Sequence, residues 1–172
     1  MTKMLDIKND KASLNKYASV KMLEEGIWLM TTHAKTMSLS LCRAIMSCLD
    51  EVDATEGPCC LITTGGHEKI YSAGLDFGTF TYHPEDVQNF LIEYSRCCAR
   101  FMSLGYPTIA AINGHCFAAG CMVSHVQDFR IMRPDAGVWC VSEINYGLNI
   151  TPGMTSILKA KLDSPTYLKA AT

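Results

Sequence analysis

A strand-like apolar run ends in Asn113-Gly114 and leads into a segment of small residues, FAAGCM at 117–122. Small residues at a strand-to-helix junction would let a ligand approach the backbone closely. The first N–H groups of a helix lack an internal acceptor and lie at the positive end of its dipole, so those of Ala119 and Gly120 could donate to an oxygen that gains negative charge. The segment predicts half of an oxyanion site, although close strand-turn-helix packing also selects Gly and Ala.

A second glycine loop, YSAGLDF at 71–77, follows an apolar strand and a Gly-Gly turn. Gly74 permits a backbone twist that other residues resist, and this twist could aim the Leu75 N–H into a cleft. The Asp76 carboxylate could hold the loop or cap the element that follows it. This loop therefore offers a second candidate backbone donor.

The third candidate is Glu143, in the segment VSEINYGL at 141–148. A single glutamate after an apolar run is usually a solvated strand end. A catalytic role for Glu143 is therefore predicted only because the other two segments are also present.

Together, and in this order and spacing, the three segments resemble the enoyl-CoA hydratase/isomerase (crotonase) superfamily from about Val20 to Leu162. The resemblance implies an α/β fold, a spiral of repeated ββα units. It implies that the Leu75 and Ala119 amides hold the thioester carbonyl of an acyl-CoA, and that Glu143 is the catalytic carboxylate. The other residues that it places against the substrate are Ala73, Gly74, Gly120 and Met122.

Met122 departs from the pattern of the hydratases, which carry a glutamate at that position. Two carboxylates are needed to hold and split the water that is added, and a thioether is neither acid nor base. One carboxylate suffices to shift a double bond, because the same base can remove a proton from C2 and return it to C4.

The strings LITTG, PTIAAINGH, SHVQDFRIM and SEINYGL look most like the Δ3,Δ2-enoyl-CoA isomerases of the plant peroxisomal type. We therefore expect an enoyl-CoA isomerase that uses a CoA thioester as substrate and needs no other cofactor and no metal.

The composition favours one domain and gives no indication of nucleic-acid binding. The chain has 172 residues, 48% of them hydrophobic, and a formal net charge of -2. Its Lys and Arg residues are scattered, so no basic surface is predicted. Residues 101–127 contain no Asp, Glu, Lys or Arg, but Pro107, Asn113 and Gly114 interrupt them, which favours a buried strand-turn-helix over a membrane span.

The nine cysteines are odd in number and contain no C-x-x-C pair. Most lie in apolar segments, so we expect reduced, buried thiols and an intracellular protein. No targeting signal is recognisable, and the resemblance implies a peroxisomal or mitochondrial matrix location. His115 follows a tight turn with no placed partner, and we interpret it as structural.

Hydrophobic periodicity and turn residues predict the order of the elements. Strands are expected at 20–23, 27–32, 59–64, 129–132 and 138–141, besides the apolar run from Thr108, and helices after Ser38, from Pro84 and at 154–162. The stripes expected to face the core are Leu41, Cys42, Ile45, Met46 and Leu49 in the first helix, and Val87, Phe90, Leu91, Tyr94, Cys98 and Phe101 in the second. We expect a single domain over 17–172, with residues 1–16 and the tail as candidate flexible segments.

Members of the family continue past the position of Lys161 into a helical region that covers the acyl site and joins subunits, and only about ten residues follow here. The expectation is a C-terminally short domain whose exposed edge is covered by another copy of the chain or by a partner protein. The alternative function is a non-catalytic crotonase-like subunit of a larger assembly. Thioester or peptide hydrolysis by Cys121 or Ser124 is a third possibility, which lacks the G-x-S-x-G elbow.

Overall fold

The computed structural model describes residues 11–82 and 84–171. The strands in chain order are β1 (Ala18–Glu24), β2 (Ile27–Thr32), β3 (Cys60–Gly65), β4 (Ile70–Ser72), β5 (Thr108–Ile112), β6 (His115–Phe117), β7 (Phe129–Met132) and β8 (Trp139–Cys140). The α-helices are α1 (Lys11–Leu14), α2 (Leu39–Asp53), α3 (Phe77–Tyr82), α4 (Val87–Met102), α5 (Ala119–His125), α6 (Pro152–Lys161) and α7 (Ser164–Ala171). Two 3₁₀ turns, Pro84–Asp86 and Glu143–Tyr146, complete the set in the described ranges.

The first sheet has the strand order β1-β2-β3-β5-β7. β1 and β2 are antiparallel, and the other neighbours are parallel. Gly26 makes the turn between β1 and β2 with a φ of +73°, and a Cβ there would lie 2.5 Å from the Pro58 carbonyl oxygen. Glycine is therefore required at this turn both by its backbone conformation and by the close approach of the chain before β3.

The second sheet is parallel, with the order β4-β6-β8. Each of its strands follows a strand of the first sheet after a short turn, and a helix or helical turn comes next. The turns of successive units pack on each other, since the Asn113 side chain donates to Gly65 O and His67 O at 2.9 Å and accepts from Gly65 N at 3.1 Å. This repetition confirms the α/β spiral of ββα units.

The predicted helical stripes form much of the core. In α2, whose N-terminus is capped by the Ser38 hydroxyl, the buried members are Leu41, Cys42, Ile45 and Leu49, whereas Met46 is half-buried. In α4 the buried members are Phe90, Tyr94, Cys98 and Phe101, and Val87 and Leu91 are half-buried. Six of the nine free cysteines are buried, in agreement with the predicted core role.

Several element boundaries differ from the prediction. β8 has two residues rather than four, and β6 was not predicted as a strand because three residues between a turn and a helix carry too little periodicity. The tail expected to be flexible forms α7, and within the predicted N-terminal segment α1 packs on α2 while residues 1–10 lie outside the described ranges. In the part of the chain that is described, no helix has the length and apolar character needed to cross a bilayer.

Candidate functional site

The two loops predicted to carry backbone donors touch each other at Gly74. A Cβ on Gly74 would lie 2.9 Å from the Ala118 Cβ and 3.5 Å from the Ala119 nitrogen, and Gly74 has a φ of +90°. Any other residue would be strained by this backbone and would push the second loop away. The predicted need for glycine in this loop is confirmed, and its reason is contact with the Ala118 turn as well as twist.

The Leu75 amide is oriented by a short bridge to Met37. The Met37 N–H donates to Gly74 O at 2.7 Å, and the Asp76 N–H donates to Met37 O at 2.9 Å. In a parallel bridge of this kind the amide of the intervening residue points to the opposite side, so the Leu75 N–H faces away from Met37. The Asp76 carboxylate accepts from Gly78 N at 3.2 Å, which is the capping contact expected for α3.

The Ala119 amide is oriented by the unusual backbone of Ala118, which has φ 50° and ψ -123°. Within residues 11–82 and 84–171, Ala118 is the only residue other than glycine with a positive φ. Its N–H donates to Cys140 O at 2.9 Å, and its carbonyl accepts from Cys121 N at 2.8 Å. Because N–H and C=O point in opposite directions across a trans peptide, the Ala119 N–H points away from the body of α5.

The remaining residues of the predicted substrate site line the same two loops and α5. Gly120 lies against β4, where a Cβ would meet the Ser72 Cβ at 2.6 Å, so its small size is needed for packing. The Ala73 N–H donates to Lys35 O at 2.7 Å. Met122 lies in α5 and is fully buried.

Glu143 begins the 3₁₀ turn three residues after Cys140, the residue that accepts the Ala118 N–H. Its side chain is 8% exposed, and within the described ranges its Oε2 atom has no hydrogen-bond partner. Burial raises the pKa of the Glu143 carboxyl above its ordinary value. A buried carboxylate oxygen without a hydrogen-bond partner is costly to the fold, and buried groups with a shifted pKa are typical of functional sites.

An aromatic contact joins the segment after Leu75 to the segment that carries Glu143. The rings of Phe77, at the start of α3, and Tyr146, in the 3₁₀ turn, have centroids 6.0 Å apart. The segment that follows Leu75 therefore lies against the segment that carries Glu143. The structure thus brings the three predicted segments together around one location.

Cys121 and Ser124 are not placed as nucleophiles. The Cys121 thiol contacts the carbonyls of Cys116 and Cys140 at 3.1 and 3.2 Å, and burial is the largest of the effects that raise its pKa. The Ser124 hydroxyl donates to Cys121 O at 2.7 Å and is fully buried. Although His125 follows Ser124 directly, burial lowers the pKa of its imidazole to about 4, so a hydrolytic site is not supported.

Sequence reasoning missed the hydroxyl of Tyr94, which donates to Ala119 O at 2.7 Å. The helical stripe correctly predicted that this side chain is buried. A buried phenol in an apolar stripe needs a hydrogen-bond acceptor, and this need was the available signal.

His115, predicted to be structural, is half-buried, with its ring stacked on Phe117 at 5.3 Å between centroids. Among the described residues, no group of three or more His, Cys, Asp and Glu side chains is arranged to hold a metal ion.

Known proteins resemble the chain in both sequence and fold. It is 30% identical over 129 residues to enoyl-CoA delta isomerase 3 of Arabidopsis thaliana, covering 70% of this chain and 52% of the relative. The peroxisomal enoyl-CoA delta isomerase 2 of the same plant is 28% identical over 124 residues, covering 69% and 52%. The chain therefore spans about half the length of these relatives.

Solved structures share the fold. An enoyl-CoA hydratase/isomerase family protein from Pseudomonas syringae superimposes with a TM-score of 0.81 at 22% identity, over 92% of this chain and 68% of that one. A probable enoyl-CoA hydratase from Mycobacterium tuberculosis gives a TM-score of 0.83 at 20% identity, over 90% and 66%. Residues 23–164 match the sequence pattern described as enoyl-CoA hydratase/isomerase, and the chain belongs to that family.

Proposed function

We propose that this protein is a Δ3,Δ2-enoyl-CoA isomerase, which moves a double bond within an acyl-CoA thioester. The observation that carries the proposal is the buried carboxylate of Glu143, whose Oε2 atom has no hydrogen-bond partner in the described ranges. Its segment lies beside the Ala118 turn, where the Ala119 N–H points away from α5. A base with a raised pKa and a pair of free backbone donors are the two requirements for enolate chemistry next to a thioester.

In the proposed reaction, Glu143 removes a proton from C2 of a 3-enoyl thioester, and the electron pair of that bond forms a dienolate. The negative charge moves onto the thioester oxygen, which accepts hydrogen bonds from the Leu75 and Ala119 amides. Loss of one such donor costs about 3 kcal/mol in the barrier of comparable enzymes. Protonated Glu143 then returns the proton to C4, which forms the 2-enoyl isomer and regenerates the carboxylate.

The surroundings of Glu143 suit a proton carrier. Burial raises the pKa of the Glu143 carboxyl, which makes the carboxylate a better base than an exposed glutamate. Met122, which takes the place of the second carboxylate of hydratases, is fully buried and cannot activate water. One carboxylate is sufficient because the same proton leaves C2 and arrives at C4.

The names of the relatives support this reaction and suggest a compartment. The Arabidopsis proteins are called enoyl-CoA delta isomerases, and two of them are called peroxisomal. Acyl-CoA is accordingly the proposed substrate class, and the peroxisome is the proposed location. Association with another copy of the chain or with a partner protein belongs to the same proposal, because large apolar side chains such as Tyr146 and Leu148 are exposed.

The decisive experiment is incubation of the purified protein with 3-enoyl-CoA, with the conjugated 2-enoyl product followed by its ultraviolet absorbance. Glu143→Gln keeps the shape and removes the basicity, so we expect turnover to fall at least a thousandfold with little change in thermal unfolding. Glu56→Gln, a change at an exposed glutamate, is the matched control and should keep full activity. A Glu143→Gln variant as fast as the parent would overturn the assignment.

A second candidate function is that of a non-catalytic subunit. Apolar side chains beside Glu143 are exposed, notably Ile144 at 50% and Tyr146 at 69%, with Leu148 at 42%. Exposed apolar surface of this kind is typical of contact with another protein. A folded protein that shows no turnover of 3-enoyl-CoA would favour this alternative over the isomerase.

A further inference from the structure

Tyr94 lies on α4, opposite the start of α5, and its hydroxyl donates to the Ala119 carbonyl at 2.7 Å. The side chain is 1% exposed. Burial raises the pKa of the phenol well above its ordinary value, so the hydroxyl keeps its proton and remains a donor. This is a contact from a separate helix to the backbone of a residue proposed to hold the substrate oxygen.

The two peptide planes that meet at Ala119 are held by different partners. The plane before it contains Ala118 O and the Ala119 N–H, and Ala118 O accepts from Cys121 N at 2.8 Å. The plane after it contains Ala119 O and the Gly120 N–H, and Tyr94 holds this oxygen. With one plane fixed from within α5 and the other from α4, rotation about both backbone bonds of Ala119 is restricted.

We propose that Tyr94 is a positioning residue: by holding the Ala119 carbonyl it restricts the backbone of Ala119, helps to keep the Ala119 N–H in its direction, and so contributes to stabilisation of the thioester oxyanion. The inference rests on the proposed function and deepens it, since it adds a residue of α4 to the working parts of the site. Tyr94 does not touch the substrate; it acts through the backbone.

The direction of a backbone donor matters because oxyanion stabilisation depends on preorganised geometry. Complete loss of one donor typically lowers kcat by 10²–10³. Partial misalignment of an amide that stays in place should lower kcat by about tenfold. Because the lost stabilisation acts on the charge that develops in the transition state, this loss should appear in kcat rather than in KM.

Tyr94→Phe tests this inference, with Tyr71→Phe as its matched control. Tyr71 is also buried, and its hydroxyl contacts Thr63 Oγ1 at 3.0 Å and Gln127 Nε2 at 3.2 Å, within the core. Each variant removes one buried hydroxyl, so both should lower the thermal midpoint. Only Tyr94→Phe should lower kcat by about tenfold with KM unchanged. A kcat within twofold of the parent in both variants would overturn the inference.

A binding measurement separates this inference from the proposed function. Acetoacetyl-CoA forms an enolate that absorbs in the ultraviolet, and an oxyanion site should increase the enolate fraction on binding. We expect Tyr94→Phe to reduce the enolate signal at saturation about tenfold while Tyr71→Phe retains it. If the parent binds the enolate in this Tyr94-dependent way but does not turn over 3-enoyl-CoA, the isomerase assignment fails and the positioning role stands.

A second variant, which keeps the hydroxyl at position 94, tests the inference even if Tyr94→Phe does not fold. Incorporation of 3,5-difluorotyrosine at position 94 gives a more acidic phenol and therefore a stronger donor to Ala119 O. It should change the enolate signal at saturation by at least twofold, whereas the same amino acid at position 71 should not. Identical enolate signals from both fluorinated proteins and the parent would overturn the inference.

Discussion

At the scale of the residue, the contrast between Glu143 and Met122 determines the proposed chemistry. The first is a buried carboxylate whose Oε2 has no partner in the described ranges, and the second is a fully buried thioether. A site with one proton carrier can shift a double bond but cannot hold and split water by the route that needs two carboxylates. The identity of position 122 is therefore a test of reaction type.

Met122→Glu should introduce a measurable hydration of 2-enoyl-CoA, whereas the parent should hydrate it at less than about 1% of its isomerisation rate. Burying an unpaired carboxyl should also lower the free energy of unfolding by about 3 kcal/mol. Formation of the 3-hydroxyacyl product, followed by chromatography, measures the first effect. Met122→Gln is the control, because it has a similar shape but no acid, and it should not hydrate. Robust hydration by the parent would mean that another carboxylate enters the site.

How much of the site the sequence predicts depends on the kind of signal. Gly74 and Glu143 could be located because motif order marks them, and the structure brings their segments together. The positive φ of Ala118 could not be predicted, because alanine is not a residue that signals such a backbone. The acceptor of the Tyr94 hydroxyl was also beyond the sequence, since it depends on how α4 crosses the start of α5.

At the scale of the element, the turn between β6 and α5 is strained at Ala118, directly before the Ala119 amide that is proposed to bind the substrate oxygen. Ala118 has φ 50° and ψ -123°, a conformation that costs an alanine on the order of 1–3 kcal/mol. The hydrogen bond to Cys140 O and the contact with Gly74 hold it there. The strained turn is thus fixed by β8 on one side and by the Leu75 loop on the other.

Ala118→Gly should relieve this strain, and we expect it to raise the free energy of unfolding by about 1 kcal/mol, net of the entropy that glycine adds to the unfolded chain. The freer backbone should lower kcat several-fold, because the Ala119 amide would be less well preorganised. Denaturant unfolding and isomerase kinetics measure the two effects. Ala111→Gly, in β5, lacks the positive φ and should only destabilise. Equal destabilisation by both variants would show that Ala118 is not strained.

The sequence predicts the longer strands and helices better than the short ones. Strands β2 and β7 were predicted to the residue, and so was the start of the long helix α2 after Ser38, because alternation, helical periodicity and the Ser38 cap are local signals. The two-residue β8 is too short for a pattern of its own and exists because Cys116 and Phe117 pair with it. Short strands of the second sheet are defined by tertiary pairing rather than by their own sequence.

At the scale of the whole molecule, α5 packs on strands of both sheets and on α6, and a polar cluster around His125 links it to β8. His125 Nδ1 lies 3.1 Å from Cys121 O, and the His125 ring packs on Trp139 with 4.9 Å between centroids. The Trp139 indole N–H donates to the Ser124 hydroxyl at 3.3 Å. α6 also packs on α5, so the charge state of His125 affects an element on which much of the fold depends.

Burial lowers the pKa of His125 from 6.5 to about 4, with a further contribution from the positive charge of Arg130. The folded protein keeps this imidazole neutral, whereas the unfolded chain takes up a proton as the pH falls below about 6.5. The stabilising contribution is therefore complete above pH 6.5 and is lost progressively as the pH falls to about 4. We expect the loss to be on the order of 2–3 kcal/mol in the free energy of unfolding.

Denaturant unfolding of the parent and of His125→Asn between pH 7 and pH 4 isolates this effect, since the carboxylates titrate in both proteins. Asn retains a donor near Cys121 O but does not titrate, so the variant should be less stable at pH 7 and should lose less stability on acidification. His33→Asn, a change at an exposed histidine, should follow the parent. If His125→Asn loses as much stability as the parent over this interval, the buried imidazole is not the group that couples folding to pH, and the cause must lie among the carboxylates that both proteins retain.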